Sequence, residues 1–255
     1  MTPEAAAAWF RAWGRAAAFA FAVAAAALSP SSYTPRLRAT TLKQLYFTVW
    51  QVFVPFTLFA ALFSVVVVDI TIRAARGYGL GIYALELVFR VLVLELLPLL
   101  TAFFVALRSG SAISTEMALM RVSGELDDMQ AAGVDPFERE FLPRVMAAAV
   151  SVFALSVMSA TIALAAAYFS MYGLSPWGFS EYTWTVAEVF DPQILGGLAL
   201  KTVLFGIAVA VIPISAGLGA TRERKSAPVA VMGGMVRLFF ALGLIQVLSL
   251  AVKYV

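Results

Sequence analysis

Residues 145–171 read VMAAAVSVFALSVMSATIALAAAYFSM, an apolar stretch without a single charged side chain. As an α-helix it would be about 40 Å long at about 1.5 Å per residue, more than the hydrocarbon core of a bilayer at about 30 Å. A helix satisfies its own backbone hydrogen bonds, which lipid cannot do for it. The stretch therefore predicts a transmembrane helix.

Four comparable stretches organise the rest of the chain. The 255 residues are 62% hydrophobic and only 13% charged, and their mean hydropathy is +0.91. The chain is thus more hydrophobic and less charged than a typical soluble domain. We predict an all-α integral membrane protein with five transmembrane helices and an N-terminal interfacial helix. The other four predicted spans are 45–68, 82–107, 194–218 and 227–252.

The amino-terminal segment allows two interpretations. Arg11 and Arg15 precede the Ala-rich run 16–28 and then Ser29-Pro30, a pattern that a secretory signal also shows. The run reaches only about 20 Å as a helix, too short to span, and its aromatic residues suit the headgroup zone. We therefore predict an interfacial helix and linker in residues 1–44, followed by a five-helix domain in 45–255.

The distribution of Lys and Arg predicts the orientation in the membrane. Twelve of these residues fall on segments that share one side with the amino terminus, whereas only Arg73, Arg76 and Lys253 fall on the other side. Because cytoplasmic segments carry the excess of positive charge, we predict a cytoplasmic amino terminus and a periplasmic carboxyl terminus. The loop 172–193 lacks Lys and Arg and is predicted outside, with Trp177, Tyr182 and Trp184 at the membrane interface.

Composition excludes several classes of chemistry. The absence of His and Cys removes thiolate nucleophiles, disulfides, His general bases and the usual zinc ligands, so no catalytic residue, metal site or cofactor is predicted. The small net charge of +3 is dispersed between apolar runs, which argues against nucleic acid as a partner. The stretch GATRERKS at 219–226 places Arg224 where a phosphate-binding loop needs Gly, so ATP hydrolysis must come from another chain.

The predicted cytoplasmic segment 108–144 is acidic. Between residues 109 and 143 it carries seven Asp and Glu residues against Arg121 and Arg139. Leu119, Val122, Leu126 and Met129 recur at helical spacing, which predicts one apolar helix face. Such a helix is either a solvated connection or a docking helix for a cytoplasmic protein.

The run 95–136, ELLPLLTAFFVALRSGSAISTEMALMRVSGELDDMQAAGVDP, resembles the MlaE-type permeases of MCE lipid ABC transporters. The family patterns E-L-G-P, R-x-G-S-A, E-x-x-L-M-R, M and V-D-P match at unbroken spacing. Two departures stand out: Leu97 replaces the usual Gly, and Val229-Ala230-Val231 stands where the family has G-V-G before the last helix.

The resemblance implies a fold, partners and a location. It implies a dimer of permease chains, here most simply a homodimer, that holds membrane phospholipid in a cavity near its two-fold axis in the bacterial inner membrane. It also implies a cytoplasmic ABC ATPase subunit bound to the inner loop and a periplasmic MCE-domain protein. The residues expected to couple to the ATPase are Arg108, Glu116, Met120, Arg121 and Asp135.

Charged residues inside the predicted spans are costly unless they are paired, near the interface or in a wet cavity. Glu86 and Arg90 are four residues apart and predict an ion pair. Arg90 and Lys201 are expected at similar depth, so we predict that they bind a lipid headgroup together with Glu95. The alternative is a structural pair of Glu95 with Lys201 or with Arg237.

The predicted function is therefore a permease subunit that binds and gates phospholipid or a similar lipid. A membrane enzyme that acts on lipid through a Ser–Lys or paired-carboxylate site is the first alternative. A scaffold that only holds partner proteins is the second.

Overall fold

The computed structural model describes residues 3–29, 33, 35–220 and 226–254, which are mostly helical and contain no strand. Helices α2, α3, α5, α7 and α8 are long and apolar enough to cross a membrane, and α1 precedes them. The predicted all-α architecture of five spans and an N-terminal helix is thus confirmed. The helices are α1 (Pro3–Leu28), α2 (Pro35–Gly77), α3 (Gly81–Ser123), α4 (Glu125–Ala131), α5 (Phe137–Tyr172), α6 (Phe179–Val189), α7 (Pro192–Leu218) and α8 (Ser226–Tyr254).

The bundle has two distinguishable ends. One end carries α1, α4 and the connection between α7 and α8, and we call it the α4 end. The opposite end carries α6 and the carboxyl-terminal turn of α8, and we call it the α6 end. The spanning helices extend beyond the predicted bounds: α2 already begins at Pro35, and α3 continues past residue 107 to Ser123.

Helix α5 lies at the centre of the bundle, with α2 and α7 packed along it, and α7 in turn contacts α3 and α8. Gly206 of α7 touches the α5 backbone so closely that a methyl group there would lie 2.4 Å from the Cα of Ala149. Gly217 meets Met117 of α3 in the same way, at 2.6 Å from its Cβ. In lipid, where apolar burial drives association weakly, small residues allow this close backbone packing.

The core forms three clusters along the bundle. Phe89 belongs to the cluster nearest the α6 end, Phe56 and Phe205 to the middle cluster, and Met117 to the cluster nearest the α4 end. The terminal clusters attach the short helices, since Tyr182 of α6 joins the first and Leu126 of α4 joins the third.

Loop 172–193 contains helix α6, which was not predicted, and Tyr182 is not an interface anchor. The Tyr182 ring is buried against Phe89 and Tyr168, and the Tyr182 hydroxyl donates a hydrogen bond to the carbonyl of Leu164 at 2.8 Å. Burial raises the pKa of Tyr182 to about 12. Trp177 and Trp184 are exposed, as an interfacial position requires.

The acidic segment does not form the single amphipathic helix that was predicted. Helix α3 ends at Ser123. The next residue, Gly124, has a φ of +85° that suits a residue without Cβ, and α4 starts from it in a new direction. As a result Leu119 is exposed, whereas Met120 and Leu126 are buried. The predicted apolar face is therefore divided between two helices, with Leu119 and Val122 on α3 and Leu126 and Met129 on α4.

Helix α1 packs across the α4 end of the bundle. Ala12, Ala16 and Val23 are buried, and Phe19 meets the rings of Phe137 and Phe141 edge to face. The apolar face of α1 is thus covered largely by protein. Its predicted place at the membrane interface stays a prediction.

Candidate lipid-binding and coupling sites

A buried ionic cluster joins α3, α7 and α8. The carboxylate of Glu95 accepts hydrogen bonds from Lys201 Nζ at 2.6 Å and from Gln246 Nε2 at 2.8 Å, both on Oε2. Lys253 Nζ contacts the other oxygen, Oε1, at 3.0 Å. Only 12% of the Glu95 side chain and 4% of the Lys201 side chain are exposed, so these charges are compensated mainly by each other.

The local backbone of α3 shapes this cluster. Residues Val88–Leu96 form a π-helical stretch directly before Pro98, which has no N–H to offer the carbonyl of Leu94. Lys201 Nζ donates to that carbonyl at 2.7 Å and so supplies a donor that the helix lacks. The π-helical stretch also shifts Glu95 from the angular position that a regular α-helix would give it.

A groove of about 560 Å³ lies beside the cluster, between α7 and α8. Lys201 and Lys253 contribute to its wall, while most other lining side chains are aliphatic. The groove thus combines an apolar surface with two ammonium groups, which suits an amphipathic molecule that carries a negative charge. The aliphatic lining residues are Ile194, Leu200, Leu204, Ile245, Leu248 and Val252.

Arg90 lies apart from this groove. Its Nε is 2.7 Å from Glu86 Oε1, so the predicted Glu86–Arg90 pair is confirmed. Arg90 is about one-third exposed and is not among the residues that line the groove. The structure therefore brings Glu95 and Lys201 together, and a role of Arg90 in lipid binding stays a prediction.

A second groove, of about 660 Å³, lies at the α4 end between the end of α3 and the start of α5. Arg144 joins these two helices, because its guanidinium contacts Glu116 at 2.9 Å and Glu140 at 2.7 Å. Only 4% of the Arg144 side chain is exposed. The groove is lined by Glu116, Leu119, Met120, Val122, Ser123, Glu125 and Glu140.

The predicted coupling residues occupy different places around this end. Glu116 and Met120 line the groove itself, and exposed Arg108 lies beside it with Glu116 in a neighbouring depression. Arg121 forms an ion pair with Asp127 at 3.2 Å and so braces the turn at Gly124. Asp135, the last of the set, accepts a hydrogen bond from the backbone N–H of Phe137 at 2.9 Å and stabilises the start of α5.

Comparison with known families identifies the chain. The model of the family described as Permease MlaE matches residues 41–252, which include nearly all of the five spanning helices. The chain belongs to the MlaE permease family. The resemblance detected in 95–136 is thereby confirmed over most of the sequence.

Several relatives of this MlaE-family chain have been named. The "Intermembrane phospholipid transport system permease protein MlaE" of Haemophilus influenzae is 30% identical over 157 residues, covering 60% of this chain and 56% of that protein. The "Probable ABC transporter permease protein" of Synechocystis sp. is 29% identical over 154 residues, or 58% and 57% of the two chains. The chloroplastic protein TRIGALACTOSYLDIACYLGLYCEROL 1 of Arabidopsis thaliana is also 29% identical over 154 residues, or 58% and 43%. The chain thus spans about half the length of these relatives.

The structure gives a physical role to one glycine of the MlaE-type pattern. A Cβ at Gly110 would lie 3.3 Å from the carbonyl oxygen of Val209 and 3.5 Å from Pro213. Pro213 cannot donate to that carbonyl, which lies four residues before it in α7. Gly110 therefore allows α3 to lie against the proline-interrupted turn of α7.

Sequence reasoning missed Lys253 and Gln246 at the ionic cluster. Lys253 was placed on a short tail outside the last span, and it also lies one residue beyond the family match. The two residues are seven positions apart, a spacing that puts them on one helix face. That spacing was a usable signal, whereas Arg144 gave none that distinguished it from the other basic residues of segment 108–144.

Proposed function

We propose that this chain is the membrane-spanning permease subunit of an ABC transporter that moves phospholipid or a similar lipid. The observation that carries the proposal is the Glu95–Lys201–Lys253 cluster beside an apolar groove, in a chain of the MlaE permease family. The phosphate group of a lipid would bind the lysine ammonium groups in place of part of their contact with the Glu95 carboxylate. The acyl chains would lie along the aliphatic wall of the groove.

Gln246 adds a polar contact for the headgroup. Its Nε2 is used by Glu95, but its Oε1 is buried and has no hydrogen-bond partner within the described part of the chain. A hydroxyl or ammonium group of a headgroup would satisfy that oxygen. The free Gln246 Oε1 therefore favours a lipid headgroup that carries a hydrogen-bond donor beside its phosphate.

Helix α3 connects this site to the proposed docking groove for an ATPase subunit. Glu95 and Glu116 both lie on α3, 21 residues or about 30 Å apart along the helix. Arg144 fastens the end of α3 to the start of α5, so a partner bound at Glu116 displaces both helices together. In this proposal ATP binding by the partner acts on the lipid groove through α3.

The remaining elements of the proposal concern assembly and place. The chain lies in the bacterial inner membrane with the α4 end in the cytoplasm and the α6 end in the periplasm, where an MCE-domain protein receives or delivers lipid. A second copy of the chain completes the lipid cavity. An outward row on α8 that includes Val236, Phe240, Leu244 and Val247 is exposed and apolar, which suits a helix contact in that dimer.

Native mass spectrometry of the purified chain with phosphatidylethanolamine and phosphatidylglycerol tests the lipid site. We expect intact lipid bound to the wild type and about tenfold less on Lys253→Met, since one charge-assisted contact is lost. Lys43→Met removes a lysine that is exposed on α2 and serves as the matched control.

Three outcomes would contradict the proposal. Steady formation of a lipid product by the purified chain would indicate an enzyme. Absence of bound lipid from every variant would indicate a scaffold. Equal lipid on the wild type and on Lys253→Met would exclude the groove between α7 and α8 as the binding site.

A further inference from the structure

A second group of basic residues lies at the α4 end, far from the Glu95 cluster. Arg15 of α1 borders a cleft of about 390 Å³ together with Phe19, Ser215, Leu218 and Gly219. A Cβ on Gly219 would lie 3.6 Å from an Nη atom of Arg15, so the guanidinium reaches the backbone at the end of α7. Gly219 is 18 residues beyond Lys201, or about 27 Å along the helix.

Arg237 of α8 does not line this cleft, but it lies one helical turn beyond Gly234, where α8 packs against α7. It is near enough to Arg15 for the two positive charges to repel each other. Helix α8 touches α7 just beside it, because a methyl group on Gly234 would lie 2.5 Å from the Cβ of Ala216. Within the described ranges neither Arg15 nor Arg237 forms an ion pair with a carboxylate.

Two buried N–H donors on α1 and α8 have no acceptor. The Nε of Arg237 and the indole Nε1 of Trp13, on α1, are buried without a hydrogen-bond partner among the described atoms. An unsatisfied buried donor costs about 1–3 kcal/mol, and native proteins rarely leave one without protein or water. Each donor therefore lacks a hydrogen-bond acceptor. Trp13 lies on α1 with Arg15, and the second donor is Arg237 itself, on α8.

We propose that α1, α7 and α8 form a binding site for the phosphate group of an anionic lipid at the α4 end. A phosphodiester is negative and accepts hydrogen bonds only, so it would both separate the two guanidinium groups and satisfy the donors. Phe19 and Leu218 line the same cleft and would contact the glycerol and the first carbons of the acyl chains. The site is independent of the transport groove, whose two lysines already contact Glu95.

Lipid competition on the full chain in nanodiscs tests this site. We compare retention of phosphatidylglycerol with that of phosphatidylcholine by native mass spectrometry for wild type, Arg15→Gln, Arg237→Gln and the double variant. We expect the wild type to prefer phosphatidylglycerol and each single variant to lose about tenfold of that preference. Arg38→Gln is the matched control, because Arg38 is exposed on α2 at the same end.

A separate experiment distinguishes a lipid from a free anion. Inorganic phosphate is titrated into protein held in phosphatidylcholine alone, and the thermal midpoint is followed. Stabilisation by millimolar phosphate that Arg15→Gln abolishes would assign the site to free phosphate, whereas stabilisation by phosphatidylglycerol alone would assign it to the lipid headgroup.

Two results would overturn the proposal. The first is an unchanged preference for phosphatidylglycerol in Arg15→Gln, a variant of an exposed side chain that should fold normally. The second is dissociation of a dimer by Arg237→Gln with lipid binding unchanged, since Arg237 would then find its acceptor in a second copy. Neither result bears on lipid at Lys253, so the two sites are judged separately.

Discussion

Glu95 shows how one buried residue organises three helices. A carboxylate in low dielectric costs several kcal/mol unless it is paired and hydrogen-bonded, and here it receives donors from α7 and α8 on both oxygens. The sequence offered Lys201 or Arg237 as its structural partner, and the structure selects Lys201. Pro98 explains part of this choice, since the ammonium group also satisfies the Leu94 carbonyl.

The cluster predicts strong coupling between Glu95 and Lys201. Lys201→Met should destabilise the protein by about 2 kcal/mol, less than the 3–5 kcal/mol typical of a fully stranded buried charge, because Lys253 and Gln246 still contact the carboxylate. Glu95→Gln combined with Lys201→Met should recover about half of that loss. The coupling is measured by thermal unfolding in detergent of four proteins: the wild type, Glu95→Gln, Lys201→Met and the double variant.

The control for this cycle is Lys43→Met, whose exposed side chain should leave the thermal midpoint unchanged. Additive losses in the double variant would show that the two residues act independently. Such additivity would contradict charge compensation between Glu95 and Lys201. It would not affect the conclusion drawn from lipid binding by Lys253→Met.

At the scale of helices, hydropathy located every spanning element, but it could not predict their irregularities. The spans follow from length and apolarity, which depend only on composition within a window. The π-helical stretch in α3 depends on tertiary contacts, and no residue type encodes it. Helix α6 was missed because its aromatic and β-branched residues have weak helix propensity, and Tyr182 stabilises it from the core.

The proposed docking groove at the end of α3 predicts a specific effect on the binding of the proposed ATPase partner. Glu116→Gln should weaken co-purification of the ATPase about tenfold, because an interfacial charge is lost. The membrane fold should persist, since Arg144 keeps its contact with Glu140. Pull-down yield and ATP hydrolysis of the reconstituted complex measure the effect.

Glu138→Gln supplies the matched control for this substitution. Glu138 is an exposed acid of the same segment but does not line the groove. Undiminished ATPase yield and activity in Glu116→Gln would reject this groove as the docking site. An equal loss in both variants would indicate attraction by overall negative charge instead of a defined contact.

Across the whole molecule, the distribution of charge predicts which end faces the cytoplasm. The α4 end carries most of the Lys and Arg residues of the chain. Three cations at the α6 end oppose the trend, but each has a local partner. Arg73 pairs with Asp69 at 2.8 Å, Arg76 donates to the carbonyl of Met171 at 3.4 Å, and Lys253 contacts Glu95 at 3.0 Å. Local partners therefore account for the positive charge at this end, and the predicted orientation stands.

This orientation predicts the accessibility of single cysteines, which the chain naturally lacks. Ser180 of α6 and Ser123 at the end of α3 are both exposed and lie at opposite ends of the bundle. In cells with a permeabilised outer membrane, an impermeant maleimide should label Ser180→Cys and spare Ser123→Cys until the inner membrane is also opened. Cysteine-free wild type controls for background. The reverse pattern would place the acidic groove in the periplasm, where no ATP is available, and would reject the ATPase proposal together with the orientation.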